Sequence, residues 1–252
     1  MLTEERHDKI RGELARKGKV IAAQLAVDFG VSEDTVRRDL RELARLGWCR
    51  RVYGGALSPA PDLGTIQARS AILSDAKHRL GAAIGQLLTS GQTIFIDAGS
   101  TNITIAGAIP VGPQLTVITN APSIALALEN HDKCRTILLG GIFNPSKGAC
   151  LGGQALREAK RIFADIFILG TCGVDADIGL TALDAEEAEL KRCMIEQSNQ
   201  LWVPVTMDKI GTIAPYKIAD ASAIGKLFAV SADGSASTLP FSEKGVVVHE
   251  VF

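Results

Sequence analysis

The chain lacks the paired cysteines that hold small secreted domains together. Its 252 residues hold five cysteines, Cys49, Cys134, Cys150, Cys172 and Cys193, an odd number with no two close in sequence. That excludes a disulfide framework and a CxxC metal site, and it favours a reducing compartment. No apolar run reaches membrane-spanning length, and the charged start MLTEERHDKIRGEL is unlike a secretory leader. P-loop and GxGxxG fingerprints are missing, so nucleoside triphosphates and dinucleotides are poor ligands. His78, His131 and His249 fall in no triad or metal spacing. No internal repeat is present. These absences predict a soluble cytoplasmic protein with no membrane partner, no metal and no cofactor.

What is present is an uneven distribution of charge. Residues 1–58 carry twelve Lys/Arg and nine Asp/Glu, a net of +3, and the remainder carries fifteen against nineteen, a net of −4. A basic head on an acidic body implies different partners for the two. With 46% hydrophobic residues the chain can bury a sizeable core.

The head reads as three helices. Thr3 is a candidate cap for a first helix that opens with Glu4 and Glu5 and stops at Gly18. Ala22, Leu25, Ala26 and Phe29 have the spacing of a buried face, and Gly30 ends that helix. After a tight turn, Ser32 caps a third helix that buries Val36, Leu40 and Leu43. This is a helix-turn-helix candidate. Arg37, Arg41 and Arg45 recur every four residues beside Arg38, and the arginine fork suits guanine edges and phosphates. Ser32, Thr35 and Arg38 lie near the helix start, which reaches base edges in this docking mode. The run LGWCRRVYGGALSP then reads as a two-stranded wing, with Arg50, Arg51 and Tyr53 placed to lie along the DNA backbone. The same arginines could instead form a solvated face, but the turn, the cap and the basic wing together favour double-stranded DNA.

The body alternates apolar strand candidates, at 93–97, 115–119, 136–140, 166–170, 201–205, 227–231 and 246–250, with helical stretches at 69–88, 101–109, 122–130 and 184–199. That pattern predicts an α/β domain with a mainly parallel sheet. Pro204, which has no N–H, suggests that its strand is an edge or ends early. Residues 59–72 are rich in Pro and small side chains and read as a linker or ordered crossover. The expected domains are therefore 1–58, the linker 59–72, and 73–252.

In such sheets ligands sit beyond the carboxyl ends of the strands. The first strand runs into Asp97-Ala98-Gly99-Ser100-Thr101-Asn102, the second into Thr119-Asn120, the third into Gly140-Gly141 and the fourth into Gly170. Gly99 leaves room for close approach, and free N–H groups at a helix start favour an anion. Asp97 would repel a phosphate and is better matched to sugar hydroxyls. The same residues could merely close a strand-to-helix turn. Glu187 and Lys191, four apart, read as a surface ion pair or as site residues. Lys209 is a solvated lysine or an anion contact. Cys172 reads as buried or inert.

VSEDTVRRDLRELARLGWCRRVYGGA resembles the winged helix-turn-helix of the DeoR family of bacterial transcriptional regulators. IFIDAGSTN, TVITN, LLGG and GLTALDAEEAELKRCMI resemble its sensor domain, similar in fold to ribose-5-phosphate isomerase. The resemblance covers nearly the whole chain. It implies a repressor of carbohydrate-metabolism genes, acting on an operator as a homodimer or homotetramer and controlled by a phosphorylated sugar or related metabolite without turnover. It carries effector roles onto Asp97, Gly99, Ser100, Thr101, Asn102, Thr119, Asn120, Gly140, Gly141, Gly170, Glu187, Lys191 and Lys209. Two positions depart from the family. Tyr53 stands where the family has His, and Thr206-Met207-Asp208-Lys209 replaces Asp-x-Ser-Lys, which moves or removes the acid. The alternative is an isomerase-like enzyme with an appended DNA-binding domain, using Glu187 as base and Lys191 as electrophile.

Overall fold

A computed structural model describes residues 1–61, 64–230 and 238–252. The head comprises α1 (Thr3–Lys17), β1 (Lys19–Ile21), α2 (Ala22–Phe29), α3 (Glu33–Arg45), β2 (Arg50–Val52) and β3 (Gly55–Pro59). Ile10, Leu14, Leu25, Val36, Leu40 and Leu43 form its core. The spacing of these residues explains the three helices. Gly18 and Gly30 end the first two in the left-handed conformation, at φ 72° and 64°. Ser32 caps α3, its Oγ accepting from the Thr35 N–H at 3.2 Å. Thr3, expected as the first cap, is instead the first helical residue, and Leu2 occupies the cap position. There Glu5 accepts from the Leu2 N–H at 3.0 Å, the half of a capping box that needs no hydroxyl at the cap.

The wing is larger than a two-stranded hairpin. β3 pairs antiparallel with both β2 and β1. Its far end pairs in parallel with β13 (Thr212–Ile213), a strand of the body, matching Ser58 with Thr212 and Pro59 with Ile213.

Between head and body lies α4 (Ile66–Ala71), so part of the expected linker is helical. The single helix expected over 69–88 is broken at Ile72-Leu73 and resumes as α5 (Ser74–Gly85), because Leu73 takes φ 52°. The body continues through β4 (Thr93–Ile96), α6 (Ser100–Ala108), β5 (Leu115–Thr119), α7 (Pro122–Ala127), β6 (Cys134–Leu138), β7 (Ile142–Asn144), β8 (Ala149–Leu151) and α8 (Gly153–Ala159). It then passes through β9 (Ala164–Ile168), β10 (Gly173–Asp175), β11 (Gly179–Ala182), α9 (Ala185–Glu196) and β12 (Ser198–Val205), and β13 follows. β14 (Tyr216–Ala219), β15 (Lys226–Val230), α10 (Leu239–Glu243) and β16 (Val247–Val251) complete it.

The seven strands expected from the apolar runs form one sheet, ordered β16-β15-β12-β9-β4-β5-β6 and parallel throughout. The last residue of the 227–231 run lies outside the described residues. Alternate side chains feed two cores. Phe95 and Phe167 pack edge to face, their ring centroids 6.2 Å apart, on the side of α8 and α9, whereas Ile94, Ile96 and Ile168 face α5, α6 and α7. β12 is an inner strand, not an edge. It tolerates Pro204 because its ladder with β9 has ended at Trp202, so no N–H is missed on that side.

Strand order places the site. From β4 the chain adds β5 and β6 on one side and then crosses to add β9, β12, β15 and β16 on the other. The order reverses between β4 and β9, and a crevice opens at such a switch point.

Candidate functional site

The carboxyl ends of β4 and β9 meet through Asp97. Its Oδ1 accepts from the Gly170 N–H at 2.7 Å and from Asn102 Nδ2 at 2.9 Å, and its Oδ2 accepts from Lys191 Nζ. Asn102 also donates to the Asp97 and Ile168 carbonyls, at 2.9 and 3.1 Å. Asp97 is only 2% exposed and its carboxylate is engaged on both oxygens. This differs from the expected contact with sugar hydroxyls.

Lys191 is 2% exposed, so Glu187 and Lys191 are not a surface pair. Its ammonium also donates to the Gly170 carbonyl at 2.6 Å and lies 3.1 Å from Glu187 Oε1. Burial favours the neutral amine, but the Asp97 and Glu187 carboxylates outweigh it and raise the pKa, so Lys191 is held charged. Asp184 caps α9 by accepting from the Glu187 N–H at 3.0 Å, which fixes Glu187 on the first turn.

Beside this network lies a cavity of about 210 Å³, bounded by Arg69, Lys147, Thr171, Cys172, Glu187 and Lys209 among others. Three cations converge on it. Lys147 is 2.8 Å from Asp184 and 3.8 Å from Glu187. Lys209 Nζ donates to the Thr171 carbonyl at 3.0 Å. Burial first, and then the charges of Arg69 and Lys191, hold Lys209 below the ordinary lysine pKa. Burial and Glu187 raise the Cys172 thiol, which makes it a poor nucleophile.

Of the expected effector residues, Glu187 and Lys209 line the cavity, and Asp97, Asn102, Gly170 and Lys191 form the network next to it. Ser100 and Thr101, expected to offer hydroxyls to an anion, are 6% and 4% exposed and do not line it. Gly99 is extended at φ 175°. Thr119 and Asn120 are buried supports: Thr119 Oγ1 accepts from the Ala121 N–H at 3.0 Å, and Asn120 bridges the Ala98 N–H and the Cys150 carbonyl, each at 3.1 Å. Gly140 and Gly141 lie apart from the cavity. The Gly140 N–H donates to Glu158 on α8 at 2.8 Å, and a side chain on Gly141 would strike the Leu151 carbonyl.

Sequence reasoning missed Arg69, Lys147 and Asp184. Asp184 carried a readable signal, an acid one residue before a helix. Arg69 and Lys147 carried none, because each is a lone cation brought in by a distant segment. Asp208, the displaced acid, faces a different cavity between α1 and the body. Among the described residues no group of three or more His, Cys, Asp or Glu could hold a metal, and no helix is long and apolar enough to cross a membrane.

On the head, Arg37, Arg38, Arg41, Arg50, Arg51 and Tyr53 are exposed. Arg37 pairs with Glu33 at 2.7 Å, whereas Arg38 has no salt bridge among the described residues. Tyr53 stands fully exposed at the turn between β2 and β3.

Residues 73–229 match the sequence model of the DeoR C terminal sensor domain, and residues 6–62 match that of the DeoR-like helix-turn-helix domain. The chain belongs to the DeoR family of transcriptional regulators. It is 31% identical over 225 residues to the glycerol-3-phosphate regulon repressor of Escherichia coli (strain K12), covering 89% of each chain. It is also 31% identical over 253 residues to the HTH-type transcriptional regulator FruR of Bacillus subtilis (strain 168), covering 98% of each. It is 30% identical over 215 residues to the L-fucose operon activator of Haemophilus influenzae, covering 84% of this chain and 86% of that one. Ribose 5 phosphate isomerase A from Neisseria gonorrhoeae is a partial structural neighbour at 13% identity and a TM-score of 0.41, covering 55% of this chain and 54% of that one.

Proposed function

We propose that this DeoR-family regulator is a cytoplasmic repressor of carbohydrate-metabolism genes, released from its operator by a phosphorylated sugar or a related metabolite. The observation that carries this reading is the cavity at the sheet's switch point, where Arg69, Lys147 and Lys209 converge. A phosphate monoester suits such a cluster, since its oxygens accept charge-assisted hydrogen bonds. The seat lies at the cavity rather than at the buried Ser100 and Thr101 hydroxyls. Asp97 serves it by positioning Lys191.

The same site supports control of DNA. Lys209 leads within three residues to β13, where the Thr212 hydroxyl donates to the Lys209 carbonyl at 2.9 Å. β13 is hydrogen-bonded to the wing strand β3. An anion that repositions Lys209 therefore acts on the head, provided it binds the two arrangements unequally.

Binding without turnover is favoured over isomerisation. The Lys191 ammonium already serves Asp97, Gly170 and Glu187, so it is not free to polarise a substrate carbonyl. A second copy of the chain would present the second recognition helix to an operator half-site. The exposed Leu138, Ile142 and Phe143, on the edge strand β6 and the following β7, supply an apolar face for a homodimer or homotetramer.

One set of binding assays tests the reading. On an operator duplex selected from random sequence, Arg38→Ala should weaken binding by roughly 1–3 kcal/mol. Lys209→Gln should keep operator affinity but no longer release DNA when sugar phosphates are added. Release of Lys209→Gln at wild-type effector concentrations would place the sensor elsewhere. Steady isomerase turnover abolished by Glu187→Gln would favour an enzyme.

A further inference from the structure

Arg69 sits on α4, in the segment between head and body, yet its side chain lines the same cavity as Thr171, Glu187 and Lys209. Its Nε is buried with no hydrogen-bond partner. A buried guanidinium donor without an acceptor is destabilising until an acceptor arrives. The backbone that carries it is held at both ends. The Ile66 N–H donates to the Ser146 carbonyl at 3.0 Å, and the buried Lys77 ammonium donates to the Arg69 carbonyl. Between these ties α4 packs against α6. Arg69 is also near enough to Lys209 for the two cations to repel each other. An anion between them would give the guanidinium an acceptor and relieve the repulsion together.

We propose, on the reading of the cavity as a phosphate site, that Arg69 is a ligand-binding residue and grips the phosphoryl oxygens opposite Lys209. The guanidinium supplies a planar fork and Lys209 a point charge, a pairing suited to a monoester dianion. The segment joining the domains is then part of the sensor. It carries Arg69 only ten residues beyond Pro59, the last wing residue paired with β13.

Inorganic phosphate is the probe, read as the shift in melting temperature of the full chain at constant ionic strength. The proteins are wild type, Arg69→Gln, Arg69→Lys and Lys209→Gln. Phosphate should raise the wild-type melting temperature. Its apparent affinity should fall about tenfold in Arg69→Gln and in Lys209→Gln, and recover in part in Arg69→Lys. If Arg69→Gln melts early without phosphate, Arg69→Lys carries the test, because losing the fork should still weaken binding severalfold. A full response in the Arg69 variants with a lost response in Lys209→Gln would overturn the role of Arg69 and leave the phosphate site standing. No response in wild type, or a full response in all variants, would overturn both.

Discussion

Head and body each bury an ion pair, and the two pairs do different work. In the head, Arg6 Nε and Nη2 donate to the two oxygens of Asp39 at 2.7 and 2.9 Å, and His7 Nε2 lies 3.2 Å away. The pair joins α1 to α3 across 33 residues, close to the surface, with 9% and 5% of the two side chains exposed. In the body, Lys191 and Asp97 join α9 to the end of β4 across 94 residues, with 2% and 4% exposed. Lys191 spreads its bonds over Asp97, Gly170 and Glu187, and Glu187 continues into a cavity. The first pair is a closed clamp. The second is the buried end of a polar network that opens on a cavity. A buried charge is costly wherever it lies, and the deeper pair carries the larger desolvation penalty.

The two pairs should separate in stability measurements. The largest effect should come from Lys191→Met, which strands the Asp97 carboxylate. Removing one partner of a buried pair costs about 3–5 kcal/mol, readable as a lower urea midpoint. Arg6→Ala should cost less, about 1–3 kcal/mol, because His7 Nε2 remains 3.2 Å from the Asp39 carboxylate. It should also loosen the head and weaken DNA binding. A larger loss from Arg6→Ala than from Lys191→Met would reverse the ranking.

A further effect is one of pH. Arg6 keeps its charge throughout the accessible range, but the body buries a cation with no salt bridge among the described residues. Burial first, and then Lys209, push Lys77 down from the ordinary 10.5 to about 8. Between these values the unfolded chain holds a proton that the folded chain has released, so stability rises with pH across the window. Urea midpoints at pH 8 and pH 10 should differ by less in Lys77→Met than in wild type. An identical difference would remove Lys77 as its source.

What was legible in the sequence follows the range of the forces involved. The three head helices and the seven strands announce themselves through local periodicity and apolar runs, because each is a contiguous stretch with one solvent-averse face. Gly18, Gly30 and Ser32 mark boundaries through backbone chemistry confined to a single turn. β1 and β13 left no such mark. They are three and two residues long, and their pairing with β3 depends on partners far along the chain. The polar network was half legible. Asp97, Gly170, Glu187 and Lys191 are assembled by sheet order, but nothing local shows that Asp97 spends its oxygens on Lys191 rather than on a ligand. Arg69 and Lys147 were invisible because a lone cation looks alike on an open surface and in a cavity.

The strand pairing of β3 with β13 is a weak link between the two halves. It comprises two residue pairs, with the Ala60 N–H added onto the Ile213 carbonyl at 2.7 Å. Each such bond contributes only about 0.5–1.5 kcal/mol net, so the ladder itself stores a few kcal/mol. Reversing a two-state balance from 1:99 to 99:1 needs about 5.5 kcal/mol of differential affinity. A micromolar ligand binds with about 8 kcal/mol in all. A seam this short therefore lies within reach of one small anion, whereas a long ladder would resist any metabolite.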